Sequence, residues 1–162
     1  MAGRAELTPF DWAVRPVKLY AKFTGRAPRA EYWWYYLGTV IAGLVAGLFD
    51  QLIHSSAVQN VLNLALFVPW MAVSVRRLHD IDRSGWWLVS LLVPIVLIVI
   101  YAAGALTGNR PAGSVPILIF GGLVFLITAI TLFVFMVTPG TVGPNRYGSD
   151  PYGPDQLEEV FA

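Results

Sequence analysis

Cysteine is absent from the 162 residues, so disulfides, thiolate nucleophiles and cysteine-held zinc or iron–sulfur centres are excluded. Charge is scarce as well. Lys, Arg, Asp and Glu make up 13% of the chain against 56% hydrophobic residues, where soluble domains carry about 25% charged residues. A water-soluble fold of this length could not cover itself with so few charges. Lipid is the solvent that removes the difficulty. The segment ahead of Tyr32 also lacks the apolar core and small-residue cleavage site of a signal peptide. The amino terminus is therefore expected to stay on the side where it is made.

A bilayer core of about 30 Å needs roughly 20 consecutive apolar residues in helical form. Four stretches qualify, at about 33–53, 57–75, 86–106 and 115–137. None contains Lys, Arg or Glu, and the only acid is Asp50, read as reaching the headgroups from the end of the first span. The second stretch holds Gln59, Asn60, Asn63 and Pro69, so a re-entrant segment is the alternative there. Pro69 and Pro94 each remove one helix hydrogen bond and predict kinks. The expected fold class is an all-α membrane protein: a cytoplasmic and interfacial segment over 1–31, a four-helix transmembrane domain over 32–137, and a Gly/Pro loop with an acidic tail over 138–162.

The net charge of +1 says nothing as a total, but its distribution does. Arg4, Arg15, Lys18, Lys22, Arg26 and Arg29 precede the first span, Arg76, Arg77 and Arg83 follow the second, and Arg146 follows the fourth. Only Arg110 falls on the other side. Basic residues mark cytoplasmic loops, so both termini are expected in the cytoplasm. The aromatic clusters Tyr32–Tyr36 and Trp86–Trp87 fit headgroup-level anchors at the same face. Before the first span, Thr8 and Pro9 resemble a cap and first-turn proline. Phe10, Val14, Val17 and Tyr20 then recur at helical spacing opposite Arg15, Lys18 and Lys22. That pattern predicts a short amphipathic helix lying in the interface plane, broken or restarted at Pro16.

Polar chemistry concentrates in three stretches assigned to the cytoplasmic side: 23–34, 76–87 and 139–151. In the first two, Arg26, Arg29, Arg76, Arg77 and Arg83 could pair with Glu31, Asp80 and Asp82, because a planar guanidinium matches carboxylate or phosphate with two parallel bonds. The bland reading is an ion-pair network that locks the loops. The sharper one uses the surplus guanidinium charge to hold a phosphate from a lipid headgroup or a ligand. His79, Asp80 and Asp82 could supply metal ligands, but the only other histidine is His54, at the far side, and the arginines would repel a cation. In the third stretch, glycines make turns that present Asn145, Arg146 and Tyr147, expected to dock against the other two.

Those stretches carry a resemblance. Phe23-x-Gly25-Arg26-Ala27-x-Arg29-x-Glu31-Tyr32-Trp33, then Arg76-Arg77-Leu78-His79-Asp80-x-x-x-Ser84-Gly85-Trp86-Trp87, then Pro139-Gly140-x-x-Gly143-x-Asn145-x-Tyr147-Gly148-x-Asp150-Pro151 resemble the bacterial inner-membrane family known as domain of unknown function 805. The match runs from about residue 16 to residue 151. It implies a small polytopic protein of the bacterial cytoplasmic membrane and brings no activity, substrate or cofactor with it.

No cofactor, metal or nucleic-acid partner is expected. The expected partners are membrane lipids, anionic ones among them, and either a second copy or another protein. The spans carry no ionisable group near mid-membrane, where carriers keep theirs. Gly43-x-x-x-Gly47 and Gly121-Gly122 allow close helix contact, within the bundle or between subunits. Three functions stay open: a non-enzymatic scaffold or accessory protein, which the composition favours; a small oligomeric transporter or channel; and an interfacial enzyme acting on a lipid phosphate, with His79 as base and no nucleophile in sight beyond Ser84.

Overall fold

The computed structural model describes residues 7–106, 108 and 114–152. Arg4, Arg110 and the acidic Asp155, Glu158 and Glu159 lie outside them. The first helix, α1 (Pro9–Lys18), starts as its sequence dictates. Thr8 Oγ1 accepts the Asp11 N–H at 3.2 Å while the Asp11 carboxylate accepts the Thr8 N–H at 2.9 Å, a reciprocal capping box behind a first-turn proline. Contrary to the expected break, the helix runs through Pro16. That residue sits two positions from the helix end, so its missing N–H frees one carbonyl, and its ring is fully buried. α1 packs on the next two helices, with the Ala13 methyl 3.7 Å from where a Cβ on Gly38 would stand.

Among the described residues, four helices are long and apolar enough to cross a membrane: Arg29–Ile53, Ala57–Asp80, Gly85–Gly104 and Pro116–Val137. The first is α2 and the second α3. Gly43 and Gly47 face the Gln59 side-chain amide of α3, so this glycine pair serves packing inside the bundle. Gln59 in turn donates to Asn63 at 3.1 Å. α2 ends on His54, whose φ of +52° places it in the left-handed region. Asp50 does not reach outward, as its position suggested. It is buried, and its carboxylate accepts the Val58 N–H at 3.1 Å and the Gln59 N–H at 2.8 Å, capping the first turn of α3 across the hairpin.

α3 is one continuous helix, which removes the re-entrant alternative. Pro69 lies inside it, fully buried. With no N–H at position 69, the Ala65 carbonyl has no partner four residues on. The Tyr20 hydroxyl donates to it at 2.9 Å, and the Tyr35 hydroxyl donates to the neighbouring Leu66 carbonyl at 3.0 Å. Such outside donors are what let a proline persist within a span.

The third span differs from the single α-helix expected over 86–106. Gly85–Leu91 is a 3-10 helix, and only Leu92–Leu106 is α-helical (α4). Pro94 explains where the change falls, because it cannot donate to the Ser90 carbonyl and its ring crowds that group. The Ser90 hydroxyl donates to the Trp87 carbonyl at 2.5 Å. At the start of the segment the chain presses on α3: a Cβ on Gly85 would lie 2.8 Å from Val75 Cγ1. The last helix, α5 (Ser114–Val137), packs Gly121 against Leu97 of α4.

The interior is inverted relative to a soluble protein. Leu52, Leu64 and Ile127 are each more than 60% exposed, as lipid-facing side chains are, while among the described residues Arg76 and Arg77 are the largest wholly buried side chains, followed by Leu78 and Glu31. α2 pairs with α3, and α4 with α5; the two hairpins meet chiefly through the 3-10 segment and the charged side chains at one end.

Candidate functional site

Asp80, in the last turn of α3, is the hub of that end. Its Oδ1 accepts Arg26 Nε at 3.0 Å and its Oδ2 accepts Arg77 Nη1 at 2.5 Å. Its carbonyl accepts the Thr141 N–H at 2.9 Å. The helix runs five residues past the expected end of the second span, so Arg76, Arg77 and His79 project from fixed helical positions and not from a loop.

Every guanidinium nitrogen of the two arginines on Asp80 has a partner. Arg26 also donates to the Thr141 carbonyl at 2.5 Å and the Gly143 carbonyl at 2.6 Å. Arg77 donates to the Met136 carbonyl at 3.2 Å and to the Thr138 carbonyl. Those carbonyls are among the unpaired ones at the end of α5, where a cation also offsets the helix dipole. One carboxylate and two guanidinium groups thus tie together α3, α5 and the chain that follows it.

Glu31, in the first turn of α2, forms a second buried pair. Its Oε1 accepts Arg76 Nη1 at 2.6 Å, and Arg15 Nε of α1 approaches its Oε2 at 3.7 Å. Among the described residues, Oε2 accepts no hydrogen bond, and Arg76 Nε and Nη2 have no partner. This pair is less completely satisfied than the Asp80 hub.

The loop after α5 docks as a unit. Asn145 Nδ2 donates to the His79 carbonyl at 2.9 Å and to Thr141 Oγ1 at 3.0 Å. The Tyr147 ring stacks on the His79 ring at 3.8 Å and 3°. Arg146 pairs with Asp82 at 3.0 Å and lies 5.0 Å over the Tyr147 ring. His79 Nδ1 meets the Gly25 carbonyl at 3.1 Å. Asp150 fixes the loop's far side, accepting the Tyr152 and Gly143 N–H groups at 2.9 Å each. Those backbone donors hold its carboxyl below its ordinary range, the Tyr152 N–H contributing most.

Of the residues singled out in the sequence, Arg26, Glu31, Arg76, Arg77, His79, Asp80, Asp82, Asn145, Arg146 and Tyr147 gather at this end through the contacts above. Arg29 and Arg83 do not join the buried pairs. Both are exposed, Arg29 donating to the Val137 carbonyl at 3.3 Å and Arg83 lying 5.7 Å from the Phe135 ring. No group of three or more His, Asp or Glu side chains converges among the described residues. Sequence reading missed Arg15, Thr141, Asp150 and Gly140 as participants. For Asp150 a signal existed: an Asp just ahead of Pro-Tyr in a glycine-rich turn accepts backbone N–H groups nearby.

Apolar helices outside and paired charges inside define an integral membrane protein of the helical, multi-spanning class. The chain belongs to the family described as "Protein of unknown function (DUF805)", whose profile matches residues 20–149. It is 32% identical over 147 residues to inner membrane protein YhaH of Escherichia coli, covering 87% of this chain and 96% of that one. It is 33% identical over 143 residues to inner membrane protein YhaI of the same organism, covering 87% and 95%. A third relative, the uncharacterized protein YiiR, is 31% identical over 146 residues. No solved structure matches the chain.

Proposed function

We propose that this is an inner-membrane accessory or scaffold protein, with both termini in the cytoplasm, whose arginine-bearing end contacts anionic lipid headgroups. The observation that carries the reading is a division of labour among the arginines. Arg26, Arg76 and Arg77 are consumed by buried carboxylates, whereas Arg29 and Arg83 stand exposed with no carboxylate partner among the described residues. Each of these two exposed guanidinium groups sits beside aromatics suited to the headgroup layer, Arg29 next to Trp33 and Trp34, Arg83 over Phe135, which Trp87 packs against. α1 adds an outward apolar face, with Phe10 74% and Val17 42% exposed, as an interfacial helix requires.

Two measurements test this. In nanodiscs, Arg29→Gln with Arg83→Gln is expected to lower retention of phosphatidylglycerol over phosphatidylcholine roughly 30-fold, at about 1 kcal/mol per juxtamembrane cation. Unchanged lipid preference would sink the lipid reading. For orientation, the cysteine-free chain allows single labels. Ser56→Cys should react with an impermeant maleimide from outside the cell, and Val142→Cys only after lysis; the reverse pattern would invert the topology.

A further inference from the structure

The bundle is not closed between α3 and the third span. α3 meets the 3-10 segment where Gly85 presses on Val75, yet it has no close backbone contact with α4 among the described residues. The wedge left between them is a lateral cavity of about 520 Å³, within the roughly 300–1,000 Å³ of small-molecule sites. Its walls include Trp70, Met71, Val75 and Ile95.

Polarity is graded along this cavity. His79 and Ser84 line one end, at the last turn of α3 and the start of the 3-10 segment. Trp70 and Ile95 lie toward the other, with Trp70 about 14 Å from His79 along the helix at 1.5 Å per residue. The Gly25 carbonyl can only accept, so His79 Nδ1 carries the proton of that contact. Nε2 has no partner among the described residues and, in the neutral ring, is an acceptor. Ser84 Oγ accepts the Trp86 N–H at 3.4 Å, which leaves the hydroxyl hydrogen to donate. No Lys, Arg, Asp or Glu is among the lining residues. Arg83, which precedes Ser84 in the chain, lies outside the lining with its guanidinium over Phe135, and Arg146 pairs with Asp82.

We infer that this cavity binds a neutral membrane lipid with a hydroxyl head, the hydroxyl placed between His79 Nε2 and Ser84 Oγ and the hydrocarbon tail laid along Val75, Trp70 and Ile95. The pairing is complementary in both halves. A hydroxyl donates to the imidazole nitrogen and accepts from the serine, whereas an anionic head would enter a site with no counter-charge. The tail runs parallel to α3, from the polar end toward the middle of the spans, the direction a bilayer lipid already takes. Arg29 and Arg83 are not among the lining residues, although Arg83 precedes Ser84 in the chain, and the variants used below leave both arginines in place, so the two readings are tested separately.

Photolabelling tests the site. The full chain is placed in phosphatidylcholine nanodiscs doped with a diacylglycerol bearing a diazirine on its acyl chain, or with a phosphatidylglycerol bearing the same tail. The diacylglycerol probe is expected to label Met71, Val75 and Val89 preferentially. His79→Phe should cut that labelling roughly three- to tenfold, the worth of one hydrogen bond. Because His79 also holds Gly25, Val89→Trp, at a 40% exposed wall position, supplies a second variant that fills the cavity with the network intact. Equal labelling by the phosphatidylglycerol probe would overturn the head-group assignment. Labelling unaffected by Val89→Trp would overturn the cavity itself.

Discussion

The Asp80 carboxylate occupies the space that a side chain on Gly140 would need. A Cβ at that position would overlap the carboxylate, standing 2.7 Å from its Cγ. Glycine here has nothing to do with backbone freedom. It lets the chain after α5 pass close enough for Thr141 to bond the Asp80 carbonyl. Gly140→Ala is therefore expected to displace Asp80 from its two arginines and cost about 1–3 kcal/mol, as overpacking does. Gly122→Ala, where nothing stands within 4 Å, is the neutral control. Thermal denaturation of the two variants in detergent decides it; equal midpoints would refute the contact.

The Glu31–Arg76 pair is buried on both sides, with side-chain exposures of 0% and 2%. Removing one partner leaves the other charge without compensation. Glu31→Leu should cost about 3–5 kcal/mol, and adding Arg76→Met should recover most of it, because a buried pair as a whole is nearly neutral against apolar replacements. Denaturant titration of the single and double variants gives the answer. A double variant worse than either single would show that the pair contributes more than mutual neutralisation.

Tyr20 and Pro69 are coupled through a single carbonyl. Tyr20→Phe removes the donor to Ala65 and is expected to cost about 0.6 kcal/mol, typical of hydrogen bonds in membrane proteins. In a Pro69→Ala background the new N–H takes that carbonyl, and the same change should cost almost nothing. A double-mutant cycle measures the difference; additive effects would mean that the hydroxyl is not serving the proline.

These couplings also mark what was readable from sequence. Hydropathy exposed the four spans because lipid demands an apolar exterior, and Thr8-Pro9 announced a helix start because capping is local. Tyr20 was legible only as part of an apolar stripe, since the carbonyl it serves lies 45 residues away. Asp50 looked like a headgroup contact because its role depends on a turn of three residues folding its carboxylate back onto α3. The 3-10 segment was hidden in an apolar run whose Pro94 predicted a kink but not a change of hydrogen-bond register. At the polar end, the acids and arginines could be listed from sequence, but which arginine was spent inside and which left outside required the helix faces.

Asp150 gives the loop a pH dependence of definite sign. Two backbone N–H groups favour its charged form, so its folded pKa lies below its ordinary value of 3.8. The stabilisation is fully present above that ordinary value and is lost as pH falls through the lower folded one. Amide exchange at Gly143 and Tyr152 should accelerate in that acid range beyond the intrinsic pH effect. Asp150→Asn should remove the titration; an unchanged acid profile in that variant would assign it to another group.

The closure of the two hairpins onto each other has an implication for biosynthesis. The side chains that join them, Arg26 and Arg77, bond to carbonyls of Met136, Thr138, Thr141 and Gly143, which lie in the last turn of the final span and the chain just after it. Each hairpin can enter the bilayer as it emerges, but the clasp between them is written only as the final span is completed. Until the ribosome passes those codons, Arg26 and Arg77 hold only Asp80, and a stalled or truncated product would present their remaining N–H groups to whatever quality control patrols the membrane.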